Sequence, residues 1–348
     1  MREARWFPCG SIFRASGALP PSPDGIGRDT RPRAESLSML EILGIVAPVF
    51  LVVVLGYVAS RRAWIADGEV DTILRFTTRF AVTALLFRAT ATLDLGEALD
   101  PATLASYYLP AFAAFAIGAV AAHRVFGQRP GESVAAGFAA LFANSLFLGL
   151  PIVERAYGSA GLTVALAIVA IHAPTMYLVG IVSMESVARD GGGLVAGLRK
   201  LVRSLSRNPI VVAALAGLGM NVLGVPLPAP AEEAMRLMAS AALPLGMFGI
   251  GATLTRYSIG GDLRMTAFFV VLTLLVRPLA MAGLAFWVFD LDPLAARVVT
   301  MMGAMPGGIN IYLFAAMYGR SQALAANLVL VGTVCAIVSV TTWLAVLG

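Results

Sequence analysis

Ten apolar runs, each close to the roughly 20 residues of one helical bilayer crossing, fill almost all of the chain beyond residue 38. They lie near residues 40–59, 72–93, 104–122, 133–153 and 162–186, then near 209–225, 232–254, 266–289, 295–317 and 323–347. Apolar content spread so evenly excludes a soluble domain with a single anchor and predicts an all-α polytopic membrane protein. Composition agrees: 13% of the 348 residues are charged, against about 25% in a soluble domain. A soluble enzyme is excluded on the same ground.

Cys9 stands in a polar tail and Cys335 inside an apolar run, so no disulfide framework, thiol metal site or metal centre is expected. The sequence pI of 9.6 resembles that of a nucleic-acid binder, but the basic residues sit mainly in short gaps between apolar runs, where membrane orientation accounts for them. Alternate connections separate cleanly. One side carries Arg61, Arg62, Arg124, Arg129, Arg189, Arg199, Lys200, Arg203, Arg207, Arg256, Arg264 and Arg320, and the other carries Arg155 with Asp94, Glu97, Asp100, Asp290 and Asp292. The basic side is expected to be cytoplasmic, which puts both mature termini outward and suits a bacterial inner membrane. Within the second run, Asp71, Arg75 and Arg79 are expected to form a ladder at i, i+4 spacing.

Residues 1–38 carry six arginines and would have to be translocated under this topology. They lack a signal-peptide apolar run and read as an over-extended start or a disordered tail, with Met39 as the functional beginning. The remaining organisation is a first unit over 39–187, a basic cytoplasmic loop over 188–207 and a second unit over 208–348.

A shift of 161 residues aligns Pro48 with Pro209, Gly56 with Gly217, Arg75 with Arg236, Phe87 with Phe248, Ala91-Thr92-Leu93 with Ala252-Thr253-Leu254, and Tyr157-Gly158 with Tyr318-Gly319. A five-helix unit crosses an odd number of times, so its second copy must be inverted. Inverted repeats are a recurrent design of secondary transporters, whose substrate site lies where interrupted helices meet near the midplane.

The fourth and ninth runs carry such interruptions, in Asn144-Ser145-Leu146-Phe147-Leu148-Gly149-Leu150-Pro151 and Gly303-Ala304-Met305-Pro306-Gly307-Gly308-Ile309-Asn310. Proline removes a backbone donor and glycine loosens the helix. Unwound backbone at membrane depth requires a protein-lined or water-filled cavity. Beyond each break a half-helix begins with its positive end toward the membrane centre, where anions are favoured. Asn144 and Asn310 add uncharged hydrogen-bonding groups suited to a carboxylate that must bind and then leave.

These residues resemble the auxin efflux carrier family, whose bacterial members include malonate and other organic-acid permeases. The resemblance covers residues 39–348. It rests on Ile45-Val46-Ala47-Pro48-Val49-Phe50-Leu51 with Gly56-Tyr57, on Leu85-Leu86-Phe87-Arg88, on the stretch from Asn144 to Pro151, and on Asn208-Pro209. Leu243-Pro244-Leu245 with Gly251-Ala252-Thr253-Leu254, and Pro306-Gly307-Gly308-Ile309-Asn310, complete it. It implies ten transmembrane helices as two inverted five-helix repeats, with broken, crossing helices 4 and 9 beside a scaffold that includes helices one, two, six and seven. It also implies a substrate carboxylate at that crossover. The expected substrate-binding residues are therefore Asn144, Gly149, Pro151, Pro306, Gly307, Gly308 and Asn310. The plant members' long central loop has no counterpart in the short connection from Val187 to Arg207.

Coupling or gating candidates are His172, Glu154 and Arg277. His172 precedes Pro174 by two residues and is either a proton-carrying or substrate-contacting group or a neutral histidine bonded to a helix carbonyl. Arg277 lies deepest of the cations and is expected either to attract an anion or to pair with a carbonyl. No acid falls clearly at mid-depth, which leaves Glu154, His172 or uncoupled transport, with proton and sodium both open. The expected partners are a small organic anion and the lipid bilayer, with no nucleic acid, no cofactor and an allowed homodimer. The alternatives are a bile-acid/sodium symporter-like carrier, an intramembrane enzyme using Ser145 and His172 without a Gly-x-Ser-x-Gly elbow, and a sensor. No G-x-x-x-x-G-K-[ST] nucleotide-binding sequence is present, so a gradient must drive transport.

Overall fold

The computed structural model describes residues 38–92, 100–187, 199, 202–203, 206 and 208–348, all within one compact unit, Ser36–Gly348. The expected tail through residue 37, Asp94, Glu97 and most of the basic loop lie outside the described residues.

The described chain is helical, and helix falls within each of the ten expected stretches. Its elements are α1 (Met39–Arg61), α2 (67–91, with a wider π turn at Thr77–Ala81), α3 (Pro101–Arg124) and α4 (Pro130–Leu141). Next come α5 (Ser145–Val187, two helical segments joined by a break at Gly158), α6 (Pro209–Val222), α7 (Ala229–Leu254) and α8 (Leu263–Val288). The last three are α9 (Pro293–Gly303), α10 (Ile309–Tyr318) and α11 (Gln322–Leu347). Six of these, α1, α3, α5, α7, α8 and α11, are long and apolar enough to cross a membrane, which makes the chain a multi-pass integral membrane protein.

Local chemistry sets the helix ends. Ser38 caps α1 through a reciprocal box with Glu41, so the last residue of the expected tail belongs structurally to the first helix. Asp100 caps α3, accepting from the Thr103 hydroxyl at 2.7 Å and from the Thr103 and Ala102 amides at 2.9 and 3.3 Å, with Pro101 at the first helical position. The Thr103 hydroxyl, ahead of the two amides, holds the Asp100 carboxyl below its ordinary range despite partial burial. A carboxylate depressed in the folded state contributes stability above its unfolded pKa and loses it as pH falls through the folded value. Asp100→Ala should therefore cost about 1 kcal/mol at neutral pH, and Asp100→Asn should keep the cap while removing its acid dependence. Thermal unfolding of the purified protein at pH 7 and pH 3 checks both, and an alanine variant as stable as wild type at pH 7 would contradict the cap.

Packing brings backbones into direct contact. A Cβ on Gly56 of α1 would overlap the Phe248 carbonyl of α7, and one on Gly217 of α6 would overlap the Phe87 carbonyl of α2. The shift that carries Gly56 to Gly217 also carries Phe87 to Phe248. Thr90 seals the α2–α6 seam, its hydroxyl donating to Ala214 O at 3.0 Å while Asn221 Nδ2 donates to Thr90 O at 2.9 Å.

Long-range polar contacts fall into two groups. Arg256 reaches Asp71 at 2.6 Å and the Asp67 carbonyl at 2.7 Å; Arg320 pairs with Glu132 at 3.5 Å; Asn327 donates to Gly260 O at 2.7 Å. A separate set joins Arg155 to the Gly44 and Ile45 carbonyls at 2.8 and 3.1 Å and Arg88 to Glu232 at 3.8 Å. The expected Asp71–Arg75–Arg79 ladder is thus replaced: Asp71 serves Arg256, a partner 185 residues away that presents two nitrogens to Asp71 and Asp67 together.

Candidate functional site

α4 ends at Leu141 and α9 at Gly303, and each is followed by a short non-helical stretch before helix resumes at Ser145 and Ile309. The two stretches meet. Ala143 pairs in antiparallel fashion with Gly307, and the Asn144 amide donates to the Pro306 carbonyl at 2.7 Å. This pairing satisfies backbone groups that lipid cannot. Downstream, the sequence pairs Tyr157-Gly158 and Tyr318-Gly319 both end their helical segments on a glycine with positive φ, 66° and 63°, a conformation glycine takes without steric cost.

Arg277 of α8 closes the remaining carbonyls. It is 1% exposed and donates to Ala140 O at 2.7 Å, Leu141 O at 3.4 Å, Gly303 O at 3.1 Å and Met305 O at 2.7 Å. Ala140, Leu141 and Gly303 lie at the C-terminal ends of α4 and α9 and Met305 two residues beyond, so one guanidinium fork serves both stopped helices.

The N-terminal ends of α5 and α10 face a cavity of about 310 Å³ lined by Asn144, Leu146, Phe147, His172, Tyr177, Asn208, Ile309 and Asn310, among others. Neither helix start has a side-chain cap. Asn144 and His172 are 6% and 4% exposed. Asn144 Nδ2 has no hydrogen-bond partner among the described residues. Buried polar atoms seldom remain unpaired, so Asn144 offers this cavity a free donor. His172 Nδ1 lies 3.4 Å from the Tyr107 hydroxyl, which in turn lies 2.9 Å from Ser145 Oγ. The Tyr177 hydroxyl donates to Asn310 Oδ1 at 3.4 Å.

The other sequence candidates are placed differently. Gly307 takes part in the backbone pairing, Pro306 supplies its carbonyl to Asn144, and Gly308 lies against the Asn144 side chain, where a Cβ would come within 3.3 Å. Gly149 packs on Met302. Pro151 and Glu154 are further along α5, at a second cavity of about 720 Å³ that also meets Arg88, Arg155 and Arg236. Arg277 turns its hydrogen bonds to carbonyls and does not line the first cavity. Sequence reasoning did not single out Tyr177, Tyr107 or the side chain of Asn208 as site groups. Val169, His172, Ala173 and Tyr177 recur on one face of α5 at i, i+3, i+4 and i+8, and that spacing is the signal that would have added Tyr177.

A multi-pass helical protein with an underpaired polar cavity between stopped helices has the architecture of a membrane transporter. The family model described as "Membrane transport protein" matches residues 41–192 and 193–344, and the chain belongs to that family, as the auxin efflux carrier resemblance implied. A protein of Rhizobium meliloti (strain 1021) named "Putative malonate transporter" is 21% identical over 305 residues, covering 87% of this chain and 95% of its own. "Uncharacterized transporter YfdV" of Escherichia coli (strain K12) is 22% identical over 79% of this chain and 88% of its own. An "Uncharacterized transporter" of Methanothermobacter thermautotrophicus is 25% identical over 87% and 97%. The protein is a membrane transporter and not an enzyme.

Proposed function

We propose that this protein is a secondary carrier for small organic anions, malonate among them, and that the carboxylate binds in the cavity between Asn144 and Asn310. The observation that carries this reading is the unpaired Asn144 Nδ2, buried beside two uncapped helix N-termini in one cavity. An amide donor and two positive helix ends suit an anion, and the name borne by the Rhizobium relative supports a dicarboxylate. Exchange follows when the stopped helices move against a scaffold containing α1, α2, α6 and α7. Phe147, whose ring sits where a Cβ on Gly246 of α7 would overlap it, is a contact that this motion must remake. Labelled malonate should enter proteoliposomes preloaded with unlabelled malonate, and absence of counterflow across malonate, other dicarboxylates and indole acids would refute the reading.

The proposed architecture is ten crossings in two inverted repeats, 39–187 and 208–348, with helices 4 and 9 interrupted at the crossover. It is supported by the paired contacts of Gly56 with Phe248 and Gly217 with Phe87. The two groups of long-range polar contacts also fit alternating sides, with the Arg256 and Arg320 group cytoplasmic, the termini outward and the membrane a bacterial inner one. In a background lacking native cysteines, a cysteine at Asp292 should react with an impermeant reagent from outside and one at Arg199 only from the cytoplasm. The reverse pattern would overturn the orientation. His172, which lines the cavity, is the proposed coupling group in preference to Glu154. His172→Gln should flatten the pH dependence of counterflow while retaining hydrogen bonding, and an unchanged profile would leave transport uncoupled from this residue.

A further inference from the structure

Four helix ends converge where α4 and α9 stop and α5 and α10 begin. Each N-terminal end carries about half a positive charge and each C-terminal end about half a negative one, so taken alone the two kinds cancel and the junction has little pull on an anion. Arg277 changes this balance. Its guanidinium lies on Ala140 O and Leu141 O at the end of α4 and on Gly303 O and Met305 O at the end of α9. It forms no ion pair among the described residues, so none of their carboxylates offsets its charge at close range.

We infer that Arg277 is the positioning residue that makes the crossover selective for anions: it neutralises the two negative helix ends and leaves the positive ends of α5 and α10 unopposed toward the cavity. This deepens the carrier reading and rests on it. The cation acts without touching substrate, since it is 1% exposed and lies outside the cavity lining. Burial is what gives it reach, because charge interactions shielded from water are weakly screened. Asn144, with its unpaired Nδ2 in the cavity, then orients a carboxylate that the field draws in. The two residues have separable roles, attraction for Arg277 and contact for Asn144.

The test measures malonate binding to the purified full chain in nanodiscs, with thermal stability recorded for every variant. Arg277→Lys keeps the charge and Arg277→Gln keeps donors without it. The glutamine variant should lose about tenfold or more in malonate affinity, the scale of a partly buried charge at helix ends, and the lysine variant should stay within about threefold of wild type. A stable glutamine variant with wild-type affinity would overturn the inference, as would a stable lysine variant as weak as glutamine. Failure of both variants to fold would assign Arg277 to structure alone and overturn it too. Wild-type protein that binds none of malonate, other dicarboxylates or indole acids removes the carrier reading itself, a result distinct from any of these.

Discussion

Asn144→Ala and Asn310→Ala are each expected to weaken malonate binding by about 1 to 3 kcal/mol, the penalty for leaving a charged hydrogen-bond partner unsatisfied. That range corresponds to roughly fivefold to more than a hundredfold in affinity. The two losses have different local origins. Asn144 presents a donor with no partner among the described residues, so its removal costs the empty protein nothing in hydrogen bonding and acts on the occupied state alone. Asn310 already accepts from Tyr177 at 3.4 Å, so its loss also frees a tyrosine hydroxyl and should give the larger change in the empty protein. Neither variant disturbs the pairing of Ala143 with Gly307 or the Asn144 amide bond to Pro306, because both are made by backbone. Titration calorimetry on stable, monodisperse variants reads the effect, and unchanged affinity in both would remove the cavity from the account.

Gly56→Val and Gly217→Val should be far more damaging to the fold. In each case the first added atom meets a backbone carbonyl of the facing helix, Phe248 in one and Phe87 in the other. Overpacking ordinarily costs about 1 to 3 kcal/mol when side chains can yield, and a carbonyl inside a helix cannot move without displacing its neighbours. Both variants should exceed that range and show strongly reduced folded protein by size-exclusion chromatography in detergent. Gly44→Val, where nothing lies within 4 Å of an added Cβ, should fold normally. Near-normal yield of the Gly56 or Gly217 variant would mean that these seams are looser than described.

Sequence reasoning located helical stretches because run length is local information, and proline, glycine and asparagine marked the two stretches in which residues 142–144 and 304–308 are non-helical. It also brought Asn144 and Asn310 to a common cavity, through the matched positions of the two interruptions. What it missed was decided by distant partners. Asp71 has Arg75 one turn away, yet its 2.6 Å contact is with Arg256, and no periodicity encodes that choice. Pro151 and Glu154 sit so near Asn144 in sequence that sequence alone assigns all three to one region. About two to three turns of helix carry Pro151 and Glu154 to a different cavity. Arg277 remained open between anion and carbonyl, because its partners belong to α4 and to the α9 end, 136 and 26 residues away at Leu141 and Gly303. Ser38 was grouped with the tail on composition, although Ser-x-x-Glu at 38–41 is a capping signature readable from the sequence alone.

Substrate protection tests the central claim most directly. Ala173 lines the cavity beside His172, and alanine tolerates replacement by cysteine with little change in volume. With Cys9 and Cys335 replaced by serine, Ala173→Cys protein should be alkylated in proteoliposomes by a thiol reagent. Malonate should slow that reaction, with half-protection near the concentration that half-saturates counterflow. Counterflow that persists while malonate leaves the alkylation rate unchanged would place the substrate elsewhere and contradict the account.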